Sequence, residues 1–297
     1  MLTPQFDGFE GSGFDKDATP RWQMVAYGNP FPTVKRVSLK NAAGMDVESV
    51  NTNIAIIDET TDTIFSDFRQ FEITGKSPGP TFIEVWDPNS KTLFSRLLEI
   101  DVKNKLSYKI AYHFVEDNRF KQTKLDASIL TRLHFNLNDI YENQTNITFD
   151  MTRAAPIQVN TSMDDIIREQ EKNDPWWDGE QAWRGPYVEW NKLVKHGDPS
   201  ALFNVFFVPR SKKEPFAGRP SLTQLDGDIV CEDVMTVEEV ERALAHEICR
   251  NLGCPVTHDI NRGNHLTFRW YPPTPDLRGG RFISKTCANI MNPTYRP

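Results

Sequence analysis

A run of apolar residues long enough to span a bilayer is missing from this sequence. A membrane-crossing helix needs roughly 18 to 20 in succession, and no segment comes near that. A basic surplus is missing too: 34 Lys and Arg stand against 41 Asp and Glu, a formal net charge of −7. That balance speaks against nucleic acid or an anionic membrane surface as the main partner. The opening segment, MLTPQFDGFEGSGFDKD, has no basic stretch followed by an apolar core, so export on a signal peptide is not expected. The sequons at Asn143, Asn146 and Asn160 then read as chance. What is present, 38% hydrophobic and 11% aromatic residues, suffices for a buried core. At 297 residues the chain has room for two domains, or one large domain with an appendage.

Cysteine is scarce, and its placement is uneven. All four, Cys231, Cys249, Cys254 and Cys287, fall in the last quarter of the chain. They can form bridges, ligate a metal or stay as buried thiols, and the spacing does not choose among these.

Residues 1–25 read as a flexible lead-in. From there to residue 104, short apolar alternations such as VKRVSL (34–39), NIAIID (53–58), TFIEVW (81–86) and TLFSRLLEIDV (92–102) read as strands. SPGP and DPNS supply turn chemistry between them. Short strands without intervening helices predict a β-sandwich of immunoglobulin-like type over 26–104, with KNKLS (103–107) as a linker. The pattern then changes. YKIAYHFV (108–115), NITF (146–149) and FNVFFV (203–208) read as strands, the last apolar throughout and central. DASILTRLHFNLNDIY (126–141) sets Ile129, Leu133, Leu137 and Ile140 at helical spacing. Strands with long helices predict an α+β domain over 108–297. Trp176, Trp177, Trp183 and Trp190 read as core caps or as an aromatic groove wall.

One stretch carries chemistry: LAHEICRNLGCPVTHD, residues 244–259. Thr236 and Glu239 form a capping box ahead of it. Val237, Val240, Leu244 and Ile248 make one apolar stripe, and at about 100° per residue His246 and Arg250 lie away from it. Gly253 is the helix stop. In an H-E-x-x-H helix, two histidines on one face reach a tetrahedral zinc and the glutamate sits beside the metal-bound water. Here His246 and Glu247 fill the first two places, but Arg250 stands at the second histidine. A guanidinium has no lone pair to give a metal and keeps its charge. Its expected alternative is an ion pair with Glu247 or Asp259.

Together with RGGRFISKTCANIMNPTY (278–295), this stretch resembles a metzincin zinc metallopeptidase. The resemblance covers roughly 108–297 and implies a mixed sheet over helices closed by a Met-turn. It implies His246 and His258 as metal ligands, with Asp259 or His265 as further donors. Glu247 would be the general base, Gly253 the turn that returns the chain, and Met291 the Met-turn residue. The implied cofactor is zinc and the implied activity is endopeptidase hydrolysis by a metal-activated water. A second reading keeps the groove for binding a protein partner and loses catalysis. A third, a cysteine hydrolase on Cys249 or Cys231, lacks a positioned base. The order of domains also resembles bacterial peptidase effectors or toxins. Such a protein is cytoplasmic in the producing cell, leaves without a signal peptide, and meets its secretion apparatus or adaptor through the β-domain.

Overall fold

The computed structural model describes residues 3–28, 33–60, 68–173, 188–210, 221–223, 227–233, 237–255 and 281–293. It is mixed α+β, and the chain divides into two compact units. The first comprises Met1–Leu106, Asp139–Thr148 and Arg281–Pro297, and the second Ser107–Asn138 and Phe149–Gly280. No helix among the described residues is long and apolar enough to cross a membrane.

The first unit holds two sheets. One runs in the order β1 (Gln5–Gly8), β4 (Val34–Lys40), β7 (Phe68–Gly75), β6 (Ala55–Glu59). The other runs β2 (Phe14–Asp15), β3 (Arg21–Tyr27), β9 (Thr92–Asn104), β8 (Gly79–Asp87), β5 (Asp46–Ser49). Strand residues alternate between two faces, and GPTFIEVWD in β8 shows it: Thr81, Ile83, Val85 and Asp87 are buried and the residues between them are not. Inward residues of both sheets, among them Phe6, Leu39, Phe71, Ile83 and Ile100, make one shared core.

Three boundaries differ from those expected. Residues 5–27 are not a flexible lead-in, because they carry β1, β2 and β3. Phe6, Phe14 and Trp22 are fully buried, and β3 runs parallel to β9 from Arg21–Leu98 to Tyr27–Asn104. Residues 103–107 are not a linker either. Strand β9 continues to Asn104, β10 (Leu106–Glu116) starts after one residue, and the Lys103 side chain is buried. Finally, 281–293 belongs with the β-sheets. Gln144 donates to Arg281 O (2.6 Å) and accepts from Ile283 N (2.7 Å). Asn292 Nδ2 donates to Asn104 O and Thr145 O at 2.9 and 2.7 Å. Buried backbone carbonyls need partners, and distant parts of the chain supply them.

In the second unit a five-stranded sheet runs β11 (Ile147–Gln158), β10, β12 (Phe203–Val208), β14 (Asp228–Glu232), β13 (Ser221–Thr223). FNVFFV is central as expected, parallel to both β10 and β14, and nearly all of it is buried, as a strand covered on both faces must be. Helices α2 (Met163–Asn173) and α3 (Val188–Val194) pack on the face of Val115, Phe206 and Val230, with Trp190 in that core. Trp176, Trp177 and Trp183 lie outside the described residues. The opposite face presents Tyr112 and Cys231, and α1 (Leu130–Thr145) and α4 (Val237–Asn251) meet it. Leu133, Leu137 and Ile140 are the buried stripe of α1.

Candidate functional site

Helix α4 carries the His-Glu pair. Val240, Leu244 and Ile248 are buried, as the periodicity requires, but so are Glu241, Ala245, Glu247 and Cys249. The proposed capping pair Thr236 and Glu239 lies outside what the structure describes at the side-chain level. His246 is half-buried and Glu247 is 5% exposed. The face expected to be open is therefore partly covered.

The helix ends in a Schellman closure. Gly253 N donates to Arg250 O (2.9 Å) and Cys254 N to Cys249 O (3.1 Å). Gly253 takes φ of 94°, a left-handed conformation that costs a side-chain-bearing residue but not glycine. The sequence stop signal at Gly253 is thus a real turn. Asn251 Nδ2 donates to Glu247 O (2.9 Å), and its Oδ1 accepts from Gly227 N (3.2 Å), fixing this end of the helix to the loop before β14.

Arg250 Nη1 lies 3.3 Å from Glu247 Oε2, an ion pair one turn along the helix with side-chain exposures of 25% and 7%. The guanidinium standing where a second histidine ligand would be holds the carboxylate that would act as base. These residues do not fit a two-histidine zinc site, since guanidinium offers hydrogen-bond donors only.

Beneath α4 lies a polar cluster that the sequence motif did not reveal. Burial pushes the Cys231 thiol of β14 far up, and the negative charge of Glu247 adds to it. A thiol so held is not a nucleophile at neutral pH, which removes Cys231 from the cysteine-hydrolase reading. Burial likewise raises the Tyr112 phenol, with Cys231 as a second cause. Tyr112 Oη and His134 Nδ1 are 3.1 Å apart, and His134 Nε2 is 3.2 Å from Asn138 Nδ2. Burial lowers the His134 pKa. Asn136 Nδ2 donates to the fully buried Glu241 (2.6 Å), tying α1 to α4. The inward Glu241 was the available signal, an acid one residue from the apolar stripe.

His258, Asp259 and His265 lie outside the described residues. Met291 is buried at the end of α5 (Lys285–Met291), a short helix of the first unit. Its neighbours Asn289 and Asn292 serve that unit: Lys103 Nζ donates to Asn289 Oδ1 (2.7 Å) and to Asn292 O. The NIMNP motif therefore has a structural use of its own there.

No family model and no curated protein matches the sequence. Among solved structures, domains 4 and 5 of the S-layer protein SbsC are 18% identical. That match covers 34% of this chain and 44% of that one, less than half its length, with a TM-score of 0.23. A zinc-dependent peptidase from Methanocorpusculum labreanum is 10% identical over 62% of this chain and 100% of that one, with a TM-score of 0.35. At TM-scores this low, neither match carries an argument about this chain.

Proposed function

We propose that this chain is a metallopeptidase-like protein that binds a protein or peptide partner without cleaving it. One observation supports the reading: Arg250 takes the place of the second histidine and pairs with Glu247 at 3.3 Å. Removing a carboxylate from base duty and adding a fixed positive charge both oppose metal-assisted hydrolysis. The test is elemental analysis of the purified protein with and without chelator, beside the Arg250→His variant. The native chain is expected to hold no stoichiometric zinc and to leave peptides intact, and R250H to gain zinc. Zinc near one per native chain, lost to chelator together with peptide cleavage, would sink the proposal.

A second reading is favoured by the survival of His246 and Glu247 side by side on α4 with the left-handed turn at Gly253 after them. In it the protein is a zinc endopeptidase with His246, His258 and Asp259 as ligands and Glu247 as base. On either reading we take the second unit as the metzincin-like part of the expected 108–297 domain. Met291, its expected Met-turn residue, lies in the first unit and does not support the reading. The first unit is then an immunoglobulin-like docking module, and the chain an effector exported without a signal peptide. The order of the two units supports this last step, and absence of the protein outside its producing cells would count against it.

A further inference from the structure

We infer that Cys249 and Cys254 form an oxidisable dithiol, a disulfide site at the C-terminal end of the candidate site helix. The inference rests on the helix ending and stands whether or not that helix takes zinc.

In a Schellman closure the residue three from the helix end and the second residue past the cap come together, usually as an apolar contact. Here those two places are Cys249 and Cys254, joined by the backbone bond from Cys254 N to Cys249 O at 3.1 Å. Their sulfur atoms lie within 4.8 Å of each other. All four cysteines are among the described residues, and none is in a disulfide. A disulfide needs Cα atoms close and side chains converging, with sulfurs about 2.05 Å apart. The closure supplies the first two conditions, and rotation about the two χ1 bonds supplies the third. Gly253 is what allows the approach, because its φ of 94° reverses the chain between the two thiols. Cys231 has no such partner provided by its local backbone, since it sits within β14.

Cys254, 5% exposed against 0% for Cys249, is the thiol that meets an oxidant first. With a small-molecule disulfide such as oxidised glutathione, the Cys254 thiolate attacks one sulfur. The glutathione S–S bond breaks, and one glutathione leaves and takes up the proton. The Cys249 thiolate then attacks the Cys254 sulfur of the mixed disulfide and expels the second glutathione. Two protein thiols lose two electrons and two protons, and one glutathione disulfide becomes two thiols. The ring so closed contains Arg250 and Gly253, so oxidation fixes the backbone that presents the Arg250–Glu247 ion pair.

Arg250 makes the test direct. Trypsin cleaves after Arg242, Arg250 and Arg262, so the reduced chain yields the two cysteines on separate peptides, 243–250 and 251–262. The full-length protein is equilibrated with reduced and oxidised glutathione, alkylated and digested without reduction. The expected result is one joined species, two hydrogens lighter than the sum of those peptides, while free thiols fall from the four in the sequence to two. The same oxidation in urea provides the unfolded reference and avoids reliance on a variant that fails to fold. Four thiols persisting under oxidised glutathione, bridging through Cys231 or Cys287, or the scrambled pairing of the urea sample in the native one would each overturn the inference.

Discussion

Lys35 shows how much a single inward residue can matter. It lies on the buried side of β4 with Val37 and Leu39, and its ammonium donates to Asn143 O at 2.8 Å. Burial pushes its pKa down from 10.5 to about 8. Between those values the unfolded chain binds the proton more tightly, so the stability contributed by Lys35 rises with pH across that window and is constant below it. Lys35→Met is neutral at every pH. Its stability relative to the native chain should therefore fall by about 3 kcal/mol from pH ~8 to pH ~10.5. Urea unfolding across that range measures the difference, and a pH-independent gap would contradict it. Burial lowers the pKa of the fully buried Lys103 as well, but its ammonium has an anionic partner, the buried Asp101 carboxylate at 3.2 Å. Lys103→Met strands that charge and should cost about 3 to 5 kcal/mol in the same assay. Arg250 was the most legible residue, since a guanidinium three places after a glutamate on a helix predicts the pair that forms. Cys231 and Tyr112 were not legible, because nothing in a strand pattern says which side chain meets a helix from another part of the chain.

At the scale of elements, strong periodicities held and local punctuation misled. FNVFFV, the α1 stripe and the α4 stripe fold as their spacing demands. KNKLS failed as a linker because its polar letters suggest solvent, whereas pairing with β3 and the partners of Lys103 keep the strand going. The glycine that ends α4 was read correctly, for a reason that can be tested. Gly253→Ala puts a Cβ into a left-handed position and should cost roughly 1 to 2 kcal/mol. Thermal unfolding would register that loss, and oxidation of the Cys249–Cys254 pair should slow with it.

For the whole molecule, the contiguous domain expected over 26–104 and the compact unit observed are different objects. The unit also uses residues 139–148 and 281–297. Asn146, fully buried, its amide donating to Tyr27 O at 2.9 Å and Lys103 O at 2.7 Å, is one of the ties. A fragment ending at residue 104 loses these partners and exposes the face they cover. It should show weaker amide-exchange protection in β3 and β9 than the full chain. Equal protection in both would mean that the sheets are self-sufficient.

The sequence by itself determined FNVFFV and the alternating strands after residue 33, the apolar stripes of α1 and α4, the turn at Gly253 and the misfit of Arg250 to a metal. Each depends on residues within a few positions of one another, where period, backbone conformation and side-chain chemistry act directly. Tertiary structure alone decided that the N-terminal residues are core strands and that residues 281–293 belong with them. It also set Cys231 and Tyr112 beneath the site helix and paired that helix's own Glu241 with Asn136. Those outcomes follow from buried polar groups finding partners far along the chain, and such pairings leave no local pattern in the sequence.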